Sequence, residues 1–156
     1  MKLDDNGYKF LLNGEGFKLK PYLCTAGIPT IAVGNTYYPS GIKVKMTDKP
    51  ITEATAWWIF RTIADRFAAD VDKLITSNVN QNQFNAIVSF AYNVGLDIDE
   101  DSIPEGLGDS TLLKKVNANP KDPSIHQEFL KWQNVNGKPS VAILNRRKKE
   151  SQLYFK

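Results

Sequence analysis

The period of the hydrophobic positions changes along the chain. Leu3, Phe10, Leu11 and Leu12 form a loose helical stripe that runs out against Gly14 and Gly16, so a short helix is predicted at the start, with Glu15 at its exit. From Tyr22 to Tyr38 the texture becomes β-branched and aromatic around Ala26, Gly27 and Pro29. Thr30 to Val33 is the clearest strand, and a small β-hairpin or three-stranded sheet is predicted. Past Pro50, Thr52 reads as an N-cap, and Ala54, Trp57, Trp58, Ala64, Phe67, Ala68, Val71, Leu74 and Ile75 keep the 3–4 spacing of one buried helical face. Asn80 reads as the cap of a second helix whose Phe84, Ala86, Ile87, Val88, Phe90, Ala91 and Val94 are apolar on almost every side, which predicts a central buried helix ending at Gly95. Shorter helices are predicted from Ser110 to Asn117, Ser124 to Trp132 and Val141 to Tyr154, with breaks at Asn119-Pro120 and Gly137-Lys138-Pro139.

The expected fold is therefore α+β and mainly helical, a single domain over residues 1–156. Its β-bearing part covers about residues 14–50 and its helical part residues 1–13 and 51–156. A content of 42% hydrophobic and 24% charged residues excludes a disordered or fibrous chain. The single cysteine, Cys24, cannot form an internal disulfide, and with the single histidine, His126, it is too little for a Cys/His zinc site, so neither metal nor cofactor is expected. The net charge of +3 is mild, but six acids (Asp97, Asp99, Glu100, Asp101, Glu105, Asp109) crowd one stretch; the rest carries 20 basic and 11 acidic residues, a balance of +9. That permits attraction to anionic polymers without amounting to a nucleic-acid footprint, and a monomer that binds no nucleic acid is expected. The opening MKLDDNGYKF has no apolar signal core and no run of 18 apolar residues follows, so the expectation is a product made in the cytoplasm and not inserted in a membrane.

Candidate chemistry centres on Glu15. Flanking glycines leave its carboxylate open to approach, and apolar Leu11, Leu12 and Phe17 could raise its pKa by desolvation, the state a general acid needs near neutral pH. These residues alone fit a solvated turn glutamate better. Spacing adds to the picture: Glu15, eight residues, Cys24, five residues, Thr30, followed by Ile31-Ala32-Val33-Gly34-Asn35-Thr36. This pattern resembles the triad of the phage-type lysozymes, or endolysins, and the resemblance continues in order through Gln83 to Gly95, Ser110-Thr111-Leu112-Leu113 and Arg146-Arg147-Lys148-Lys149-Glu150.

The resemblance implies a lysozyme-like fold, a small β-sheet lobe and a helical lobe joined by the long helix with a cleft between them, and hydrolysis of the β-1,4 bond between N-acetylmuramic acid and N-acetylglucosamine in peptidoglycan, for host lysis. Glu15 would protonate the leaving oxygen and Thr30 would orient the attacking water. Cys24 stands where relatives carry Asp or Cys; a thiol with an ordinary pKa near 8.5 is mostly neutral at pH 7, and thiolate base, nucleophile, bystander and small buried hydrophobe all stay open for it. Ala32 replaces a glycine of the usual pattern and Asn35 a histidine, so tuning of the acid falls to burial and to an arginine, Arg146 by preference or the adjacent Arg147; one of the two is expected on a solvated basic face. Asn93 matches a substrate-contacting amide, and Trp132 either stacks on a sugar or packs in the core. The resemblance also implies release to the wall through a holin partner, or delivery in a phage particle.

The acidic stretch is longer than the link usual in relatives. Asp97-x-Asp99-x-Asp101 imitates the first ligands of a calcium loop, but Ser102 and Gly108 stand where a glycine and a bidentate glutamate are needed, which leaves a solvated loop, a cleft lid or a partner contact. Two other functions compete. An amidase would need Cys24 and His126 to meet, which no spacing supports. A catalytically impaired peptidoglycan-binding protein on the same fold would account for Cys24, Ala32 and Asn35.

Overall fold

The computed structural model describes residues 1–12, 17–98 and 105–156. They divide into two compact units, residues 8–66 and residues 1–7 with 67–156. Helix α1 (Asp5–Leu12) opens the chain. In the first unit, β1 (Lys18–Leu23) pairs antiparallel with β2 (Pro29–Ala32), with Tyr22 opposite Thr30 and an irregularity between Lys18 and Tyr22. β1 starts earlier than predicted: in Lys18-Leu19-Lys20 the lysines face solvent while Leu19 turns to the core, the period-2 pattern of a half-buried strand. Among the described residues the pairing continues only as isolated bridges, Ile31 with Asn35 and Tyr37 with Lys43. Ile31, Ala32 and Val44 bury against Ala56 and Ile59, closed in by Phe17, Leu19, Ile51 and Ile63.

Ala56, Ile59 and Ile63 come from α2 (Glu53–Leu74). Its start follows the sequence, since the Thr52 hydroxyl accepts from the Thr55 amide at 3.1 Å. Its buried face does not. Ala54 is exposed, Trp57 is 37% exposed and Trp58 57%, whereas Ala56, Ile59, Phe60, Ala64, Ala68 and Val71 are covered. The stripe begins at Ala56 rather than Ala54. Trp57 remains partly covered because its ring meets the Phe17 and Phe60 rings at 5.7 Å each.

The second unit is built on α3 (Gln81–Val94), in which every residue from Gln83 to Ala91 is buried, as its all-round apolar pattern predicts. Asn80 and Gln83 form a reciprocal capping box, and Gly95, at φ 101°, ends the helix by donating its amide to Ala91 O. α4 (Thr111–Ala118) is capped by Ser110, and α5 (Ile125–Lys131) follows. Where the sequence predicts only a break, β3 (Asn134–Val135) and β4 (Lys138–Pro139) form a short hairpin, since Asn136 and Gly137 take the positive φ values of 50° and 74° that its turn requires. α6 (Val141–Tyr154), capped by Ser140, packs on α3 and α5.

After α3 the chain is tied to itself. Leu107 N donates to Gly95 O at 3.1 Å and Gly108 N to Leu96 O at 2.7 Å, while the Asp97 carboxylate accepts from the amides of Glu105 and Gly106. Only glycine fits at 108, because a Cβ there would lie 1.8 Å from Asp97 O. Asp99 and Asp101, the other residues of the calcium-like pattern, lie outside the described residues.

Candidate active site

Glu15 lies outside the described residues; the other two members of the triad meet on the hairpin. Cys24 directly follows β1 and Thr30 sits on β2, and the connecting turn is closed by Cys24 N to Ile28 O at 3.1 Å and Gly27 N to Cys24 O at 2.8 Å. Gly27 supplies the left-handed conformation there, with φ 74°. Cys24 is half-buried and its thiol is held below its ordinary pKa, first by backbone hydrogen bonding at Ile28, with further contributions from the Ala26 backbone, the Thr30 hydroxyl and its own backbone; burial opposes them. Thr30 is buried at 1% exposure and its hydroxyl donates to Ile28 O at 2.8 Å. Its one proton is used there, so toward a neighbour it presents only acceptor lone pairs.

The two departures from the glycine–histidine pattern lie just beyond. Ala32 is buried with φ 54°, the left-handed region that favours glycine. Asn35 is buried too, and its side-chain oxygen accepts from Val33 N at 3.2 Å, while its backbone exchanges two hydrogen bonds with Ile31. It shapes the turn that brings the chain back from Thr30.

The remaining expected residues gather in the other unit, around a residue that sequence reasoning missed. Glu150 is wholly buried; Arg146 Nε donates to it at 3.0 Å, Arg147 Nη1 donates to its other oxygen, and the Ser89 hydroxyl donates at 2.8 Å. The i+4 and i+3 spacing of the arginines to Glu150 on one helix is the signal that could have found it. Neither arginine lies on a solvated basic face. Arg147 is fully buried, with Nε donating to Trp132 O at 3.0 Å, Nη2 to Asn93 Oδ1, and its guanidinium 4.9 Å from the Phe90 ring centre. Burial draws its pKa below the ordinary value, against the pull of Glu150. Arg146 also donates to Ser89 O at 3.2 Å, and its side chain keeps 27% exposure.

Asn93 is exposed at the end of α3, and Trp132 is half-buried with its ring edge-on to Phe90 at 5.4 Å. His126 pairs through Nδ1 with the buried Ser151 hydroxyl at 2.7 Å, a boundary residue as its helix predicts. Among the described residues no group of three or more His, Cys, Asp or Glu could hold a metal ion. A cavity of about 370 Å³ opens elsewhere in this unit, bordered by Asp97, Ile98 and Asp109 of the acidic stretch.

A mainly helical chain with two small antiparallel sheets, carrying a thiol and a hydroxyl together on the first hairpin, is an α+β protein of the lysozyme-like class. Its particular family follows from comparison: the chain belongs to the phage lysozyme family, whose sequence model matches residues 13–150. The endolysin of Bacillus phage B103 is 32% identical over 155 residues, covering 99% of this chain and 54% of the relative. The endolysin of Salmonella phage P22 is 28% identical, covering 99% of each. The chain thus spans about half the length of the Bacillus phage relatives it matches. Among solved structures, the endolysin from Escherichia coli O157:H7 phage FAHEc1 superposes with a TM-score of 0.83 at 32% identity, covering 99% of this chain and 93% of that one.

Proposed function

We propose that this chain hydrolyses the β-1,4 bond between N-acetylmuramic acid and N-acetylglucosamine in bacterial peptidoglycan. The observation that carries the reading is the Cys24 thiol beside Thr30 on the hairpin, its pKa lowered first by backbone hydrogen bonding at Ile28, within a chain that matches the phage lysozyme family over residues 13–150. In this reading Glu15, protonated, gives its proton to the glycosidic oxygen as the bond to the anomeric carbon breaks. The Cys24 thiolate takes a proton from water, whose oxygen bonds to that carbon. Thr30, whose hydroxyl proton is engaged by Ile28 O, orients that water by accepting from it. Of the two arginines, Arg147 has all three nitrogens engaged while Arg146 Nη1 makes no hydrogen bond among the described residues, which favours Arg146 for the acid-tuning role in this reading. Asn93 contributes a polar contact to the glycan and Trp132 a partly exposed ring edge. Release to the wall through a holin partner and a monomeric working state belong to the same proposal. No helix among the described residues is long and apolar enough to cross a membrane.

The test is release of new reducing ends from purified peptidoglycan. Glu15→Gln is expected to abolish it while folding and glycan binding persist; equal release by the variant would overturn the assignment. Product NMR then reads the role of the thiol, since a base gives inversion at the anomeric carbon and a nucleophile gives retention.

A further inference from the structure

Asn93 is an exposed residue with one hydrogen-bond partner among the described residues, and that partner dictates which end of its amide faces out. Arg147 Nη2 reaches Asn93 Oδ1. A guanidinium has donors only, so Asn93 must turn its oxygen inward, and its Nδ2 is left without a protein partner among the described residues. Arg147 has little freedom to yield. It is wholly buried, Glu150 holds Nη1, Trp132 O holds Nε, and the guanidinium lies on the Phe90 ring. Glu150 is fixed in turn by Arg146 and Ser89.

We infer that Arg147 is a positioning residue that locks the Asn93 amide with its N–H₂ outward, so that this site accepts only a hydrogen-bond acceptor of the ligand, of which the carbonyl oxygen of a sugar N-acetyl group is the strongest neutral one on such a glycan. The inference rests on the glycan-cleaving reading above. An asparagine free to flip would offer donor or acceptor alike; one pinned by a buried cation offers a donor alone. The positive charge against its oxygen also polarises the amide and strengthens the outward N–H. Arg147 never touches the ligand in this arrangement, because it is buried behind Asn93.

Asn93→Asp is the sharpest variant, since it keeps the shape and the inward oxygen for Arg147 while replacing the outward donor by an acceptor. On peptidoglycan it is expected to lose tenfold or more in kcat/KM, carried by KM, with an unchanged or higher melting temperature. Arg147→Lys keeps a cation for Glu150 but releases the fork. The penalty of Asn93→Ala, measured in wild type and again in Arg147→Lys, is expected to shrink by threefold or more in the lysine background, which a purely structural role for Arg147 would not produce. The inference is overturned if Asn93→Asp keeps the wild-type KM, or if the Asn93→Ala penalty is the same in both backgrounds. Should wild type release no reducing ends, the glycosidase reading itself fails; the orientation is then read from the Asn93 side-chain N–H₂ resonance, whose fast exchange with water supports the outward donor and whose protection overturns it.

Discussion

Ala32 is held at φ 54° inside the core of the first unit, where left-handed backbone costs an L residue roughly 1–2 kcal/mol. Replacing it with glycine removes that cost, but it also removes a buried methyl worth about 0.8 kcal/mol and adds chain entropy worth about 0.4–1 kcal/mol to the unfolded state. The effects nearly cancel, so Ala32→Gly is expected to change stability by less than about 1 kcal/mol in urea denaturation, unusual for a core truncation. Ala32→Val, β-branched at positive φ, should cost well over that. At Cys24 the sign is equally definite. Its folded pKa lies below its unfolded value, so the stabilisation of the thiolate is present above the unfolded pKa and is lost as pH falls through the folded one. In the proposed reaction the basic form is the working form, so kcat/KM should rise with pH on a limb below the ordinary thiol value. Cys24→Asp should move that limb toward about 4, and Cys24→Ser should abolish it.

At the level of the elements, capping and all-round burial were the legible features. Thr52 and Asn80 head their helices as the sequence predicts, and the α3 apolar run is the most buried helix; the caps Ser110 and Ser140 were not read. Removing the α3 cap by Asn80→Ala should cost about 1 kcal/mol by the same denaturation assay. What escaped was orientation. The apolar positions of α2 fit two overlapping stripes, and periodicity alone cannot tell which one the sheet will cover; packing of Ile31 and Val44 against Ala56 and Ile59 decides it and leaves Trp58 outside. β1 was hidden because its lysines look like a loop until Leu19 is seen to face the core. The Glu150 network was hidden for another reason: sequence shows the spacing of Arg146, Arg147 and Glu150 but not that the glutamate is wholly buried. Removing it leaves a buried arginine uncompensated, and Glu150→Ala is expected to cost about 3–5 kcal/mol, a large part of a domain's total stability.

Across the whole molecule, charge is the property that sequence states most directly. The +9 balance outside the acidic stretch should draw the chain to the anionic wall, an attraction screened within about 3 Å at 1 M salt. Sedimentation with purified sacculi is expected to fall steeply as salt is raised, while turnover of short soluble glycan fragments changes little. How the Glu15 carboxylate is approached was the least legible part of the site, since the reactivity of an acid depends on what surrounds it in space and its flanking glycines fix nothing beyond local access.

The ties between Gly95 and Leu107 and between Leu96 and Gly108 close a ring at the neck of the acidic stretch, and Asp97 fastens it from within. The neck fixes where the stretch leaves and rejoins the framework, and doubling the length it encloses costs only about 0.6 kcal/mol of closure entropy. Length is therefore the inexpensive variable at this point of the chain, so long as position 108 never acquires a side chain.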